Sequence, residues 1–331
     1  MDKKISRAIA IYSKGESFCY YRGVGHVFYS EEPGILRGER LREEDRWYRG
    51  MKTGFYDELD KLHYSDRLAM LQHYELPTRV LDVTFNPLVG LYMAVNTIYI
   101  PSDKKQKDYG EVIVYFDKYT DGEAYDSNSV LVLAALAKLK YEDKMLLRGV
   151  IEELSKGIEE RVKNRAEKGD DDNVERNVTR EKIRTLVNFC VHLRADNSNH
   201  KYVFNDNEKK EADDVLEGNF KCPFEIFAKV MSINNKVVAE EKYRAFAKAY
   251  IKLLGTVRRE NPAFTNCIDI FILMKAYHVR VGMTNDRIRA QAGSFIICGL
   301  DKNYINTSMK SGRSELIRRM FVRTRRWCIV S

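Results

Sequence analysis

Two short segments carry polar residues of the types that bind anions and nucleotides. The first is Tyr21-Arg22-Gly23, and the second runs from Gln72 to Thr84 and includes Asp82. An arginine makes two parallel hydrogen bonds to a phosphate, and a neighbouring glycine lets the backbone approach a ligand closely. These residue types and their clustering predict an anion- or nucleotide-binding centre, with Arg22 as its first ligand.

A very short strand must position the polar groups of the second segment. Residues 80–83 are apolar except for Asp82 and predict a strand that begins just after Arg79. The preceding helix, predicted over residues 67–74, must end ahead of Pro77, because the residue before a proline avoids the helical region. Polar residues at both ends of so short a strand indicate a site beside it.

A helix predicted over residues 88–96 follows the strand, and Pro87 suits its first turn. The N-terminus of such a helix exposes unpaired N–H groups and the positive end of the helix dipole, so it suits a phosphate or a carboxylate. Thr84 and Asn86 stand at this terminus, where each serves either as a ligand contact or as a helix cap.

Several of these polar side chains have a structural interpretation beside the functional one. Asp82 in an apolar strand needs a partner, and Arg79 or Arg22 would supply a structural ion pair instead of a ligand contact. Arg22 and Arg79 each bind a phosphate or else hold a buried carboxylate or loop carbonyls, and the glycines beside Arg22 favour the ligand role for it. His73 is a hydrogen-bonded structural histidine or a general base. Three tyrosines stack on a ligand ring or pack in the core: Tyr21, Tyr74 and Tyr92.

Composition predicts a globular chain in the cytoplasm. The 331 residues are 44% hydrophobic and 31% charged, which is ample material for a core. No apolar run of about 18 residues predicts a membrane span, and the first residues lack the apolar stretch of a secretory signal. The six cysteines form neither a CxxC pair nor a Cys/His cluster, so we predict reduced thiols and no metal site.

A formal charge of +8 suits a phosphate-bearing partner. Basic residues cluster in the last 22 residues of the sequence, and two aromatic residues, Phe321 and Trp327, stand between them. Cations beside aromatic rings are typical of single-strand nucleic-acid binding, whereas a solvated surface is the alternative interpretation. The candidate nucleic-acid ligands are Arg318, Arg319, Arg323, Arg325 and Arg326.

Sheet-forming sequence occupies both ends of the chain, and amphipathic helices fill the middle. We therefore predict an α+β fold, with a core over residues 17–125 and 262–331 and a mostly helical insertion over residues 126–261. In the second half, the predicted strands cover residues 267–274, 291–298 and 323–330, and the predicted helices cover residues 179–194 and 239–254.

Four segments resemble the FRG domain family, which is named for a Phe-Arg-Gly motif. Tyr20-Tyr21-Arg22-Gly23 is similar to that motif, with tyrosine in place of phenylalanine before the arginine. The block LQHYELPTRVLDVTFNPLVGLYMA is similar to the family's LQHxGLPTRLLDxTxNPLxALxFA, except that Glu75 replaces the usual glycine. Residues 110–114 and 285–295 resemble the family's following strand and its closing Arg-Ile-x-x-Gln-x-Gly-x-Phe motif.

This resemblance implies a link to the ADP-ribosyltransferase superfamily, with its split sheet and its NAD cofactor. By that mapping Arg22 takes the first-strand position, Asp82 and Thr84 take the second, and Gln291 takes the third, where the superfamily usually has glutamate. Because glutamine does not accept a proton, His73 or Asp82 would be the general base. The residues that the resemblance assigns to NAD are Tyr21, Arg22, Gly23, Arg79, Thr84, Asn86 and Tyr92.

The expected function is therefore NAD-dependent ADP-ribosyl transfer to nucleic acid, to RNA in preference to DNA. The family resemblance further suggests a toxin of a bacterial toxin–antitoxin or phage-defence system, with an antitoxin protein as a further partner. Two alternatives use the same site: a non-catalytic sensor of nucleotides or nucleic acids, and an NAD hydrolase.

Overall fold

The computed structural model describes residues 18–25, 31–96, 109–117, 123–166, 241–264, 268–280, 293–301 and 318–323. The chain divides into two compact units, one formed by residues 1–134 with 275–331 and the other by residues 135–274. The first unit contains a seven-stranded sheet of order β4-β5-β6-β2-β1-β3-β7. The fold is therefore mixed α+β, with strands from both ends of the chain in one sheet.

All strand pairs of this sheet are antiparallel except β4 with β5, which is parallel. The strands are β1 (Phe18–Val24), β2 (Val80–Thr84), β3 (Tyr109–Asp117), β4 (Glu123–Ala124), β5 (Ala276–Arg280), β6 (Gly293–Cys298) and β7 (Arg318–Arg323).

The described helices lie mainly between β1 and β5 in the sequence. They are α1 (Glu44–Gly54), α2 (Tyr56–Leu59), α3 (Tyr64–His73), α4 (Pro87–Val95), α5 (Asn128–Ala135), α6 (Tyr141–Ala166) and α7 (Glu241–Glu260). Short 3-10 helices occupy Gly34–Leu36, Arg40–Arg42, Leu136–Lys138 and Ile270–Met274.

The sheet is split between β1 and β2. These neighbours share a single cross-strand pair, Tyr21 with Thr84, whereas β2 and β6 are paired from Val80 opposite Ile297 to Thr84 opposite Gly293. Beyond Tyr21, β1 stays paired to β3 and diverges from β2. The divergence leaves a gap in the sheet that side chains must fill.

Helix α4 packs unusually closely on β1, and two glycines allow it. A Cβ atom added to Gly23 would lie 1.9 Å from the carbonyl oxygen of Gly90, and one added to Gly90 would lie 2.9 Å from the Cβ of Tyr21. The glycines therefore set the distance between helix and strand. Because successive strand residues point to opposite faces, Tyr20 and Arg22 lie on the face away from α4.

On that opposite face, Tyr20 belongs to a buried aromatic cluster. Its ring stacks on His278 of β5 with 3.8 Å between centroids, and Phe85 packs edge-on against both rings. His278 in turn lies 2.8 Å from the hydroxyl of Ser294 in β6. This cluster joins β1 to the strands from the end of the chain.

The second unit is helical in the part that the structure describes. Helices α6 and α7 pack together through buried residues such as Val150 and Tyr250. Lys252 donates from Nζ to Oδ1 of Asp143 at 2.8 Å and so adds an ion pair between the two helices.

Most elements predicted from the sequence within the described residues are present, with one correction. Residues 270–274 form a 3-10 helix instead of the predicted strand over 267–274, and the strand follows at Ala276–Arg280. A strand covers Arg318–Arg323, and residues 324–330 of the strand predicted over 323–330 lie outside the described residues. The predicted helix over residues 179–194 lies outside the described residues.

Candidate functional site

A cleft opens in the first unit where β1 and β2 diverge. Its volume is about 220 Å³, and it is open to solvent. Two arginines and one aspartate supply its charged groups, and polar side chains, backbone and apolar side chains form the remaining walls. The lining residues are Arg22, Gly34, Arg37, Gln72, Leu76, Pro77, Thr78, Val80, Leu81 and Asp82.

Arg22 extends from β1 across the split in the sheet. Its Nη1 donates a hydrogen bond of 2.7 Å to the backbone carbonyl of Asp82. Its Nε is buried and has no hydrogen-bond partner among the described residues. Arg22 thus holds the diverging strands at a fixed separation and retains a donor that no described protein group uses.

Arg37 is the second cation of the cleft, and sequence analysis did not identify it. The 3-10 helix Gly34–Leu36 carries it there, because Ile35 donates from its backbone N–H to the carbonyl of Thr78 at 3.1 Å. Arg37 also donates from Nε to the carbonyl of Glu32 at 3.0 Å. No local pattern around Arg37 distinguishes it from other charged residues in this part of the sequence.

The polar wall of the cleft is a hydrogen-bonded group of three side chains. Thr78 donates from Oγ1 to Oε1 of Gln72 at 2.9 Å, and Gln72 donates from Nε2 to Oδ2 of Asp82 at 2.6 Å. The carboxylate of Asp82 is therefore paired with an amide, not with Arg22 or Arg79. Gln72 and Thr78 were missed as site residues, although both stand in the block that carries the family resemblance.

The turn after α3 aims Gln72 at β2. Leu76 donates from its N–H to the carbonyl of Leu71 at 3.1 Å, and Glu75 donates to the carbonyl of Gln72 at 3.0 Å. These two bonds form a Schellman motif, whose left-handed residue is usually glycine. Glu75 occupies that position with φ of 64°, which explains why a glycine is usual there.

The structure does not bring Arg79 to the cleft, and its predicted role in binding phosphate is corrected. Its side chain is fully buried, and Nη2 contacts Oε2 of Glu44 at 2.5 Å. Its Nη1 donates to the carbonyl of Gly299 at 2.9 Å. Arg79 is thus the structural alternative, a guanidinium holding a buried carboxylate and loop carbonyls.

Thr84 and Asn86 have capping roles at the start of α4. The hydroxyl of Thr84 accepts a hydrogen bond from the N–H of Asn86 at 3.0 Å, and Oδ1 of Asn86 accepts from the N–H of Leu88 at 2.9 Å. Thr84 is fully buried, and neither residue lines the cleft. Thr84 and Asn86 therefore have the helix-capping role that the sequence offered as the alternative to a ligand contact.

Four further predicted residues do not line the cleft. His73 is exposed at the last position of α3, and Tyr92 is 61% exposed on α4. The hydroxyl of Tyr92 accepts from Nδ2 of Asn96 at 2.8 Å. Tyr21 and Gly23 are on the face of β1 that packs against α4. Of the predicted catalytic set, the structure therefore brings together Arg22 and Asp82.

The remaining candidates are only partly covered by the structure. Gln291, Arg325 and Arg326 lie outside the described residues, so the roles predicted for them stay predictions. Three other predicted nucleic-acid ligands belong to strand β7: Arg318, Arg319 and Arg323.

The cysteines that the structure describes are poor nucleophiles. Burial raises the pKa of Cys298 to about 12 and that of Cys19 to about 11, so both remain protonated at neutral pH. Among the described residues, no group of three or more His, Cys, Asp or Glu side chains is arranged to hold a metal ion. The same part of the chain contains no helix long and apolar enough to cross a membrane.

Together, the fold and the site define an α+β protein with a polar cleft at a split between two strands of a mixed sheet. Comparison with known protein families found a match to the FRG domain over residues 17–102. This range contains every residue that lines the cleft, and it supports the resemblance to the FRG domain family. Comparisons with curated proteins and with solved structures found no match.

Proposed function

We propose that this protein is an NAD-dependent ADP-ribosyltransferase that binds NAD in the cleft between β1 and β2. The observation that carries the proposal is the meeting of two arginines and an amide-held carboxylate, Arg22, Arg37 and Asp82, in one open cleft. Arginines suit a diphosphate, and a carboxylate suits a proton or a hydroxyl group.

The residues present fit one end of the NAD molecule. The described walls enclose about 220 Å³, which is less than the roughly 300 to 1,000 Å³ of typical small-molecule sites. Arg22 and Arg37 would hold the diphosphate, because guanidinium groups bind phosphate oxygens in pairs and both arginines line the cleft. The described cleft therefore accounts for a diphosphate and an adjoining sugar.

Asp82 is the better of the two candidates for the general base. It lines the cleft with its carboxylate, whereas His73 is exposed and does not line it. NAD supplies a nicotinamide leaving group that departs with the electrons of the glycosidic bond. Asp82 would take the proton from the acceptor oxygen or nitrogen that forms the new bond to the sugar carbon.

The acceptor that we propose is nucleic acid, RNA in preference to DNA. A net charge of +8 and the three arginines of β7 support a phosphate-bearing partner. The proposed biological role, a bacterial toxin held by an antitoxin or used in phage defence, rests on the family resemblance. Transfer to nucleic acid would damage the host cell unless a partner protein restrained the enzyme.

The experiment that tests the proposal measures the fate of both the ADP-ribose part and the nicotinamide part of NAD. The purified chain is incubated with NAD labelled in its adenylate phosphate, together with RNA, DNA or protein, and released nicotinamide is measured. Label on RNA with an equal amount of nicotinamide is the expected result. Nicotinamide and free ADP-ribose without labelled acceptor would indicate an NAD hydrolase. Absence of both labelled acceptor and nicotinamide would refute the enzymatic proposal.

Variants of the two cleft arginines connect the activity to the site. We expect Arg22→Ala and Arg37→Ala each to weaken NAD binding by about tenfold or more, because each removes a charged hydrogen-bond donor. Arg46→Ala is the matched control, since Arg46 is an exposed arginine whose side chain is 82% accessible. Equal affinity of all three variants for NAD would place the binding site elsewhere.

A non-catalytic nucleotide sensor is the second candidate, and one observation favours it. Asp82 is the single carboxylate that lines the described cleft, and Gln72 already occupies one of its oxygens. A site with so few proton acceptors suits binding without turnover. Tight NAD binding that Arg22→Ala abolishes, with no release of nicotinamide by the unmodified protein, would establish this function.

A further inference from the structure

A hydrogen-bond chain with a fixed direction runs along the polar wall of the cleft. The backbone N–H of Val80 donates to Oγ1 of Thr78 at 3.4 Å. The hydroxyl of Thr78 donates to Oε1 of Gln72 at 2.9 Å, and Nε2 of Gln72 donates to Oδ2 of Asp82 at 2.6 Å. The chain starts at a group that only donates and ends at a carboxylate.

The direction of this chain determines which end of the Gln72 amide faces Asp82. A carboxylate only accepts, so Gln72 turns its NH₂ end to Asp82 and its amide oxygen to Thr78, and the hydroxyl of Thr78, which receives the N–H of Val80, donates to that oxygen. Thr78 is only 3% exposed, so solvent has little access to replace this contact. The NH₂ end of Gln72 therefore points to Asp82 and orients its carboxylate.

Asp82 is held from its backbone side as well. Arg22 donates from Nη1 to the carbonyl of Asp82 at 2.7 Å, and β2 is paired to β6 on its other edge. The other carboxylate oxygen, Oδ1, makes no hydrogen bond within the described part of the chain, and Asp82 is exposed at the cleft. A fixed acceptor thus stands in the same cleft as two guanidinium groups.

We propose that Asp82 selects ligands whose diphosphate is carried by a ribose, by accepting a hydrogen bond from a ribose hydroxyl at Oδ1. Thr78 and Gln72 are positioning residues that orient this acceptor. The inference rests on the proposed function only in placing a nucleotide diphosphate at Arg22 and Arg37. It adds a substrate class, because the cleft then rejects nucleotides whose sugar lacks hydroxyl groups.

The physical reason for rejection is the cost of an unsatisfied acceptor. A dideoxy sugar brings no donor to Asp82 and yet excludes the water that would otherwise bind Oδ1. A hydrogen bond to a charged group contributes enough to change affinity by about tenfold or more. The selectivity requires an oriented carboxylate, so it also depends on the hydroxyl of Thr78.

The test measures the ratio of two affinities in the full chain by titration calorimetry. The ligands are ADP, whose single ribose would take the place beside the diphosphate that the nicotinamide ribose of NAD takes in the proposed function, and 2′,3′-dideoxy-ADP. We expect the unmodified protein to bind ADP about tenfold more tightly than the dideoxy analogue. Asp82→Asn and Thr78→Val are expected to bring the ratio close to one, and Thr78→Ser, which keeps the hydroxyl, is expected to restore it.

A ratio separates positioning from a general loss of structure, since misfolding lowers both affinities together. A ratio near one in the unmodified protein, or an unchanged ratio in Thr78→Val, would overturn the inference. Nicotinamide release, measured on the same samples, tests the proposed function separately. If nicotinamide is released and the ratio of the two affinities is near one, only the inference about Asp82 is refuted. If the ratio is about tenfold and no nicotinamide is released, only the transferase proposal is refuted. No binding of ADP at all would overturn the inference, while the nicotinamide measurement would still decide the proposed function.

Discussion

Glu75 is the one non-glycine residue with positive φ in the described part of the chain, at 64°. A side chain in this left-handed conformation costs about 1 kcal/mol relative to glycine. We therefore expect Glu75→Gly to raise the free energy of unfolding by ~1 kcal/mol, measured by urea denaturation. Glu75→Ala is the matched control, because it removes the same charge and keeps a Cβ atom. An equal gain from both variants would mean that charge, not backbone strain, is responsible.

Asp66 in α3 makes the stability of the protein depend on pH. Burial raises the pKa of its carboxyl above the usual value, an effect that nearby His63 partly opposes. A raised folded-state pKa means that the contribution of Asp66 to stability is fully present below the unfolded-state pKa. That contribution is lost as pH rises through the folded-state pKa. Above that pH range the buried, charged carboxylate of Asp66 lowers the stability of the folded protein.

We therefore expect Asp66→Asn, which does not titrate, to gain stability relative to the unmodified protein as pH rises. Thermal unfolding at a series of pH values from 3 to 7 measures the difference. Asp57 is exposed on α2, and Asp57→Asn is the matched surface control with a small expected effect. A stability difference for Asp66→Asn that stays constant across the series would contradict the effect of burial.

Two arginines, Arg79 and Arg37, show which features of the site could be predicted from the sequence and which could not. Arg22 and Asp82 were predicted as site residues, and both line the cleft. Arg79 stands between them in a polar block, but burial against Glu44 engages it elsewhere. Arg37 reaches the cleft through a backbone hydrogen bond to Thr78. Local residue types indicate the chemistry of a side chain, whereas contacts far along the chain decide which arginine faces solvent.

The close contact between α4 and β1 gives opposite expectations for two helical glycines. A Cβ on Gly90 would lie 2.9 Å from the Cβ of Tyr21, whereas a Cβ on Gly50 in α1 would meet nothing within 4 Å. Gly90→Ala should therefore lower the free energy of unfolding by ~1–3 kcal/mol through overpacking. Gly50→Ala should raise it by up to ~1 kcal/mol, because alanine is the better helix former.

Chemical denaturation of both glycine variants tests this expectation. The same substitution in two helices controls for helix propensity, so the difference between them isolates packing. Destabilisation of both variants to the same extent would mean that α4 does not approach β1 as closely as described.

Helix and strand prediction succeeded where a terminus signal accompanied periodicity. Pro77 ended α3, Pro87 began α4, and the apolar run between them became β2. The run over residues 268–274 has one such signal, Asp269, whose Oδ1 accepts from the N–H of Phe271 at 2.8 Å, and the prediction overlooked it. Its apolar residues are buried or half-buried, and a short apolar run fits a strand or a helix equally, so periodicity alone did not predict the 3-10 helix there.

The buried ion pair of Glu44 and Arg79 joins distant parts of the first unit. Glu44 lies in α1, and the same guanidinium contacts the carbonyls of Cys298 and Gly299 after β6. Removing one partner leaves an uncompensated buried charge. We expect Glu44→Ala to lower the free energy of unfolding by about 3–5 kcal/mol, measured by thermal or urea denaturation.

Glu43→Ala is the matched control for that variant. Glu43 precedes Glu44 and pairs with Arg46 at 3.2 Å, but the Arg46 side chain is 82% and the Glu43 side chain 43% accessible to solvent. Its loss should cost less than ~1 kcal/mol. Similar losses for both variants would show that the pair of Glu44 and Arg79 contributes no more than a surface contact.

Strand β2, which carries Asp82, is held along its length by β6, and the two strands are separated by the greater part of the chain. During synthesis, residues 80–84 leave the ribosome long before residues 293–298, and until then one edge of β2 has no partner. An unpaired strand edge is a site for aggregation or for chaperone binding. A chain whose translation stops before β6 would therefore leave β2 without its main partner, so ligand binding becomes available only after residues 293–298 have been made.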